Sequence, residues 1–229
     1  MVKTLKDFSH WTEMKNQIIQ ADCLEGMKLI PDKSIDLVLT DPPYGIGVAK
    51  GGVHGETKTA RKGFANKTYG DTSWDKTTPK KETFNEVFRM SKNQIVLGGN
   101  YFDLPPSPCW IVWHKKVNDN SDFADCELAW TSFKSAVRYF QYGWIGLDYI
   151  NGTKDKAELR THPTQKPVAL MRWIIENYSK PGDLICDPFM GSWTTARACK
   201  DLGRDFIGFE LSEDYCKVGE ERLRQEVLF

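Results

Sequence analysis

Two short segments hold residue types suited to chemistry on a planar, amino-bearing ring. The first is Asp41-Pro42-Pro43-Tyr44, placed directly after an apolar run at residues 35–40. Consecutive prolines lack an N–H and have a fixed φ, so the chain must leave a sheet there, with an acceptor-rich carboxylate beside an aromatic side chain. Asp41 and the free Pro42 carbonyl can accept from an exocyclic NH₂ while Tyr44 stacks on the ring face. Taken alone, the same residues also read as ordinary punctuation between a strand and a turn. The second segment is Asp187-Pro188-Phe189-Met190-Gly191-Ser192, a strand end entering a glycine turn, with a helix start at residues 193–199 behind it. Backbone N–H groups and the helix dipole can face an anionic or polar ligand group at such a place. Glu210 follows Gly191 by nineteen residues, at the end of the next apolar run. At that spacing an acidic side chain reaches two ribose hydroxyls, which points to a nucleoside-type ligand.

The elements that must position these residues are legible as short β-branched runs at residues 17–20, 35–40, 94–97, 110–114, 127–133, 183–186 and 206–211. Several are apolar throughout, as strands covered on both faces are. Helical spacing lies between them. Phe84, Val87 and Phe88 share a face over residues 83–90, and Leu170, Trp173, Ile174 and Tyr178 share one over residues 168–178. Behind the capping residue Ser212, residues 212–228 place Tyr215, Val218, Leu223 and Val227 on one side of a last helix. This alternation predicts an α/β, doubly wound sheet. Residues 1–229 are read as one domain carrying two irregular stretches. Residues 45–75 hold seven of the eighteen glycines and no apolar period, and are predicted as a mobile loop. Residues 134–161 are predicted as a small insertion, with Tyr139 and Trp144 packing in the core rather than wedging between bases.

The composition bounds the function further. A chain of 229 residues, 40 % apolar and 27 % charged, can bury one substantial core. Lys+Arg and Asp+Glu both number 31, so the whole-protein field favours no polyanion. Charge is nevertheless uneven. Residues 45–70 set Lys50, Lys58, Arg61, Lys62 and Lys67 against Glu56, a net +4, and residues 154–172 set five basic against two acidic residues, a net +3. Residues 205–226 carry seven acids against three bases, a net −4. One edge is thus expected to attract phosphate while an acidic helix stays in solvent. The basic loop has the composition of a solvated charged loop as well. The six cysteines are never closer than thirteen residues and form no CxxC pair, and the four histidines show no ligand spacing, so no metal is predicted. No apolar run approaches the roughly 18 residues of a membrane span. The opening residues are too polar for a signal peptide, and a cytoplasmic protein is expected.

Together the motifs resemble a known family. Asp41-Pro42-Pro43-Tyr44 resembles the catalytic motif of amino-directed DNA methyltransferases, and Asp187-Pro188-Phe189-Met190-Gly191-Ser192 resembles their S-adenosylmethionine (SAM) motif. His162-Pro163-Thr164-Gln165-Lys166-Pro167 resembles the remaining cofactor motif. The order, catalytic motif first and SAM motif last, is similar to the permuted β class, and the resemblance runs over roughly residues 16–223. It implies a mostly parallel, seven-stranded Rossmann-like methyltransferase sheet, in which the strand ending at Asp41 lies beside the one ending at Asp187. It also implies SAM as cofactor and methyl transfer to the N6 of adenine flipped out of double-stranded DNA. Adenine is favoured because Asp at the first motif position goes mostly with adenine and Ser with cytosine N4. Cytosine-N4 methylation, methylation of RNA or a protein amide, and a catalytically silent SAM- or DNA-binding module are the competing readings.

Carried over residue by residue, the resemblance implies that Asp41 and the Pro42 carbonyl, backed by Pro43, hold the target amino group while Tyr44 stacks on the base. Phe189 and Gly191 would line the SAM pocket, Glu210 would hold its ribose, and Thr164 and Lys166 would lie near its methionine carboxylate. Asp22, beside Cys23, matches the position that contacts the cofactor's adenine, although it also reads as the cap of a helix starting at Leu24. Cys23, Asp41, His162, Gln165, Asp187 and Ser192 complete the expected cofactor set. Lys50, Lys58, Arg61, Lys62 and Lys67 are the expected DNA contacts. The resemblance leaves room for a homodimer and for a partner restriction endonuclease in a bacterial or phage-infected cell. One residue departs from the pattern: Trp193 stands where the family turn has Gly, and its indole is expected to pack beside the cofactor.

Overall fold

The computed structural model describes residues 2–47, 76–116, 124–143 and 164–224. Among the described residues nine strands form one sheet: β1 (Lys3–Thr4), β2 (Ile19–Gln20), β3 (Ile35–Thr40), β4 (Ser91–Leu97), β5 (Trp110–His114), β6 (Cys126–Thr131), β7 (Arg138–Gln141), β8 (Leu184–Asp187) and β9 (Asp205–Glu210). Their order across the sheet is β1-β2-β9-β8-β3-β4-β6-β5-β7. The pairings are parallel except those of β6, which runs against both β4 and β5. Five α-helices among the described residues accompany the strands: α1 (Cys23–Lys28), α2 (Lys81–Met90), α3 (Val168–Tyr178), α4 (Thr194–Asp201) and α5 (Glu213–Arg224). Among the described residues no helix is long and apolar enough to cross a membrane.

The continuously apolar strands are explained by two cores, one on each face. Leu37, Leu39 and Ile185 face a core shared with Leu170 and Ile174 of α3, Ala196 of α4 and Cys216 of α5. Val38, Cys186 and Phe209 face the other, shared with Met27 of α1 and with Val87 and Met90 of α2. Side chains alternate across a strand, so a strand covered on both sides must be apolar at every position.

Among the described residues the sheet has nine strands where seven were expected. The seven apolar runs correspond to β2, β3, β4, β5, β6, β8 and β9; the additions are the edges β1 and β7. A two-residue edge strand and a strand reading Arg-Tyr-Phe-Gln carry too little apolar pattern to be seen. Within the stretch read as an insertion, residues 134–161, Arg138 to Gln141 pair with Ile111 to His114 of β5 and extend the sheet, whereas residues 144–161, Trp144 among them, lie outside the described residues. Tyr139 lies in that edge strand and is exposed rather than in the core.

Trp193 shows why the turn before α4 favours glycine. Its φ is +61°, in the left-handed region, and it is the N-cap of the helix. The indole does not turn toward the crevice at the end of β8. It is wholly buried in the core between α4 and α5, against Gly219, where a Cβ would come within 2.5 Å of Trp193 Cδ1. The bare backbone of Gly219 makes the room that the indole fills. Trp193→Gly therefore relieves about 1–2 kcal/mol of left-handed strain but empties a cavity costing about 3–5 kcal/mol. The expected outcome is a net loss of about 2 kcal/mol and a melting temperature lower by about 5 °C. Gly219→Ala is expected to cost about 1–3 kcal/mol by overpacking and to become nearly neutral when combined with Trp193→Gly. Calorimetric melting of the two single variants and the double variant checks both values and their non-additivity.

Candidate active site

The site is built at the carboxyl edge of the sheet. β3 and β8 pair in parallel through Leu37 with Ile185 and Val38 with Cys186, so the two motif strands end side by side, as the resemblance implied. Thr40 Oγ1 donates to Asp187 Oδ1 at 2.7 Å and fastens the two ends together. Asp187 also accepts from the Phe189 N–H on Oδ1 (3.0 Å) and from Thr195 Oγ1 on Oδ2 (2.6 Å). Burial pushes its carboxyl up to about 6 despite these bonds. Asp187 thus faces inward and holds the turn, rather than lining the crevice.

The turn is held from its other side by Glu210, at the end of β9. Glu210 Oε2 accepts from the Gly191 N–H at 2.8 Å, and Oε1 accepts from the Ser212 N–H at 2.7 Å. Burial raises its carboxyl to about 7. Phe189, Gly191 and Glu210 keep partial exposure at the rim, whereas Ser192 is buried, with its hydroxyl on Thr194 and its carbonyl accepting from Arg222. Asp22 lies at the same edge, because Gln20 of β2 pairs with Glu210. It caps α1, accepting from the N–H groups of Leu24 (2.8 Å) and Glu25 (3.4 Å). The helix-cap reading of Asp22 is therefore realised, with the helix starting at Cys23 rather than Leu24. Burial lifts the neighbouring Cys23 thiol to about 12 and keeps it protonated.

Beyond β3, Asp41 is embedded in charge. Tyr44 donates its hydroxyl to Asp41 Oδ1 at 2.7 Å, and the Lys166 ammonium donates to Oδ2 at 2.7 Å. Lys166 comes from the segment just before α3 and is only 6 % exposed, so it is no solvated helix-start lysine. Its Nζ lies 3.5 Å from Glu127 Oε2, and Glu127 Oε1 lies 2.5 Å from Lys115 Nζ. Two carboxylates and two ammonium groups thus share one half-buried cluster around the buried Lys166. Burial pushes the Asp41 carboxyl up. The same burial works against Lys166 and Glu127, but Asp41 and Glu127 together hold the ammonium protonated, and Lys166 and Lys115 hold Glu127 below the ordinary carboxylate range.

The Tyr44 ring stacks on Tyr101, with centroids 4.8 Å apart and planes 13° apart, and meets Phe102 edge-on at 6.1 Å. Gly98, at the end of β4 with φ +63°, lets the ring lie against the backbone, since a Cβ there would run into it. Burial, and after it Asp41, raises the Tyr44 hydroxyl well above its usual value, so it remains a donor.

The sequence reading missed Glu127, Lys115 and Tyr101. Glu127 opens an apolar run and reads as a solvated strand end. It reaches the site because β6 is antiparallel, which brings its first residues to the edge where β3 and β4 finish. Tyr101 had a signal, in the Gly98-Gly99 pair that ends an apolar run just before it. Of the expected residues, Asp41, Pro42, Pro43, Tyr44, Lys166, Asp187, Phe189, Gly191, Ser192 and Glu210 gather at this edge, flanked by Asp22 and Cys23, while Gln165 is buried beside Lys166. His162 and the five basic residues Lys50, Lys58, Arg61, Lys62 and Lys67 lie outside the described residues.

Comparison with known proteins places this arrangement. The chain is 28 % identical over 255 residues to the type II methyltransferase M.HinfI of Haemophilus influenzae, covering 92 % of this chain and 68 % of that protein. It is 28 % identical over 226 residues to the putative methylase YubD of Escherichia coli K12, covering 91 % and 90 %. Among solved structures, the fold is similar to PvuII DNA methyltransferase, described as cytosine-N4-specific, with a TM-score of 0.57 at 18 % identity, covering 92 % and 87 % of the two chains. It is also similar to the SAM complex of M1.HpyAVI, with a TM-score of 0.53 at 19 % identity, covering 98 % and 100 %. Residues 65–221 match the family model described as DNA methylase. That span is well over half of the sequence and includes both the turn after β8 and Lys166, so the chain belongs to the N6/N4 DNA methylase family.

Proposed function

We propose that this chain transfers a methyl group from SAM to the exocyclic N6 of adenine in flipped-out double-stranded DNA. The observation that carries the reading is the half-buried Asp41 carboxylate, set at the end of β3 beside the Asp187–Ser192 turn and backed by the Tyr44 ring. An exocyclic amine conjugated to a ring is a poor nucleophile, because its lone pair is delocalised. Asp41 and the Pro42 carbonyl, as acceptors held by a proline-stiffened turn, draw the nitrogen toward sp³ and aim its lone pair. Tyr44, stacked against Tyr101 and fixed to Asp41, offers a rigid aromatic surface to the base. When bound, SAM supplies a sulfonium-activated methyl, so that the N–C bond forms as the S–C bond breaks and the sulfur keeps the electron pair. The surplus proton on nitrogen leaves by way of Asp41, whose burial favours taking it up. Positioning and exclusion of water supply the acceleration, and the cysteines take no part.

The residues at the turn fit SAM. Glu210 spends one lone-pair direction of each oxygen on a backbone N–H, and the remaining directions suit ribose hydroxyl donors. Phe189 and Gly191 are partly exposed beside it and would line the pocket. Asp22, with its carboxylate already fixed by the start of α1, would face the adenine. Adenine is preferred over cytosine as the target because the first motif residue is Asp rather than Ser. The basic residues Lys50, Lys58, Arg61, Lys62 and Lys67 would neutralise phosphates flanking the target.

Four outcomes are expected. Incubating unmethylated DNA with SAM and enzyme, then digesting to nucleosides for mass spectrometry, should yield N6-methyladenine. N4-methylcytosine alone would overturn the adenine assignment, and no modified base from several DNAs would favour a silent binding module. Asp41→Ala should slow transfer by at least about 100-fold while leaving SAM affinity by calorimetry nearly unchanged. Glu210 adds a pH dependence with a definite sign. Hydroxyl donors bind the ionised carboxylate, and this one titrates at about 7, so SAM affinity should weaken by about tenfold as pH falls from 8 to 6. Glu210→Gln should bind more weakly and flatten that slope; equal slopes in the two proteins would remove Glu210 from the cofactor site. Replacing Lys58, Arg61 and Lys62 by Ala should make DNA affinity less salt-sensitive, reducing the slope of log K against log salt by about 3.

A further inference from the structure

We infer that Glu127 is a positioning residue for methyl transfer: it is the second carboxylate, onto which the Lys166 ammonium moves when a substrate amino group takes its place on Asp41. The inference rests on the reading of Asp41 as the amino-group acceptor. Both Asp41 oxygens already accept a hydrogen bond, one from the Tyr44 hydroxyl and one from Lys166, each at 2.7 Å. A bond from an ammonium is stronger than any from a neutral ring amine. Lys166 therefore outcompetes the incoming group for Oδ2 and draws charge from the oxygen that must polarise it. For the reaction, Lys166 stands in the wrong place.

The cluster contains the alternative. Glu127 Oε2 is buried, lies 3.5 Å from Lys166 Nζ, and has no hydrogen-bond partner among the described residues. A shift of less than about 1 Å brings the ammonium to the ~2.8 Å of a charge-assisted bond and satisfies that oxygen. Departure into solvent would instead leave two buried carboxylates with fewer counter-charges, a far costlier change. Lys115, at 2.5 Å from Oε1, holds Glu127 by its other oxygen and keeps Oε2 toward Lys166. The transfer conserves charge inside the site: Lys166 passes from one carboxylate to the other, and Asp41 Oδ2 is freed for the amino group and its departing proton.

The test is single-turnover methyl transfer to unmethylated DNA, with SAM and DNA dissociation constants measured on the same preparations. Wild-type enzyme that methylates no DNA would refute the proposed function itself, separately from the role of Glu127. With active wild type, Glu127→Gln is expected to slow the transfer step by about 10- to 100-fold while both dissociation constants stay within about threefold. Lys115→Gln, which loosens Glu127 but leaves its carboxylate beside Lys166, is expected to cost a smaller loss than Glu127→Gln, about 3- to 10-fold. An unchanged rate in Glu127→Gln, or an equal loss in Lys115→Gln, would overturn the inference, the latter by showing that Glu127 serves only to anchor Lys115. Should Glu127→Gln not fold, Glu127→Asp keeps the charge but draws it back from Lys166. An intermediate loss of about 3- to 10-fold at unchanged SAM affinity is then expected, and a wild-type rate would refute the role.

Discussion

The hydrogen bond from Thr40 to Asp187 is small, but it marks the constraint on which the structure depends: β3 and β8 lie side by side and in parallel. Residues 41 and 187 are far apart in the chain, and no local interaction brings them together. Parallel pairing does so because strands need only be neighbours in the sheet, with helices making the crossovers. Once the two ends meet, the acceptor turn after β3 and the glycine turn after β8 open into one crevice. Asp187 then ties the strand end, the turn and the start of α4 into one unit through three accepted bonds.

Burying charge so close to that junction has to be compensated. Asp41 alone would be neutralised by desolvation, and the Lys166 ammonium alone would be expelled. The cluster with Glu127 and Lys115 solves both problems by matching two carboxylates with two cations over short distances. Such a cluster adds little net stability, since desolvation offsets attraction. Its value is geometric. It fixes Tyr44 through Asp41 and sets one cation, Lys166, between two carboxylates.

Much of the fold was legible in the sequence, for a reason tied to the two cores. Strands covered on both faces must be apolar at every position, and these are the runs that stood out. β1 and β7 did not stand out because an edge strand this short is held mainly by its neighbour's backbone. Trp193 was legible as an oddity but not in its direction. Its left-handed φ explains why glycine suits the position, whereas the inward course of the indole follows from the room left by Gly219 on α5.

The candidate site divides in the same way. By itself the sequence determined the acceptor turn Asp41-Pro42-Pro43-Tyr44, the glycine turn and the acid at Glu210, because each is built from adjacent residues or from a spacing set by one strand-helix-strand unit. Only the tertiary structure decided that Asp187 points inward, that Lys166 lies on Asp41, and that Glu127 and Lys115 complete the cluster. The place of Glu127 depends on the direction of β6. An antiparallel strand delivers its first residues, not its last, to the carboxyl edge of its neighbours, and a single strand's sequence carries no record of which way it will run.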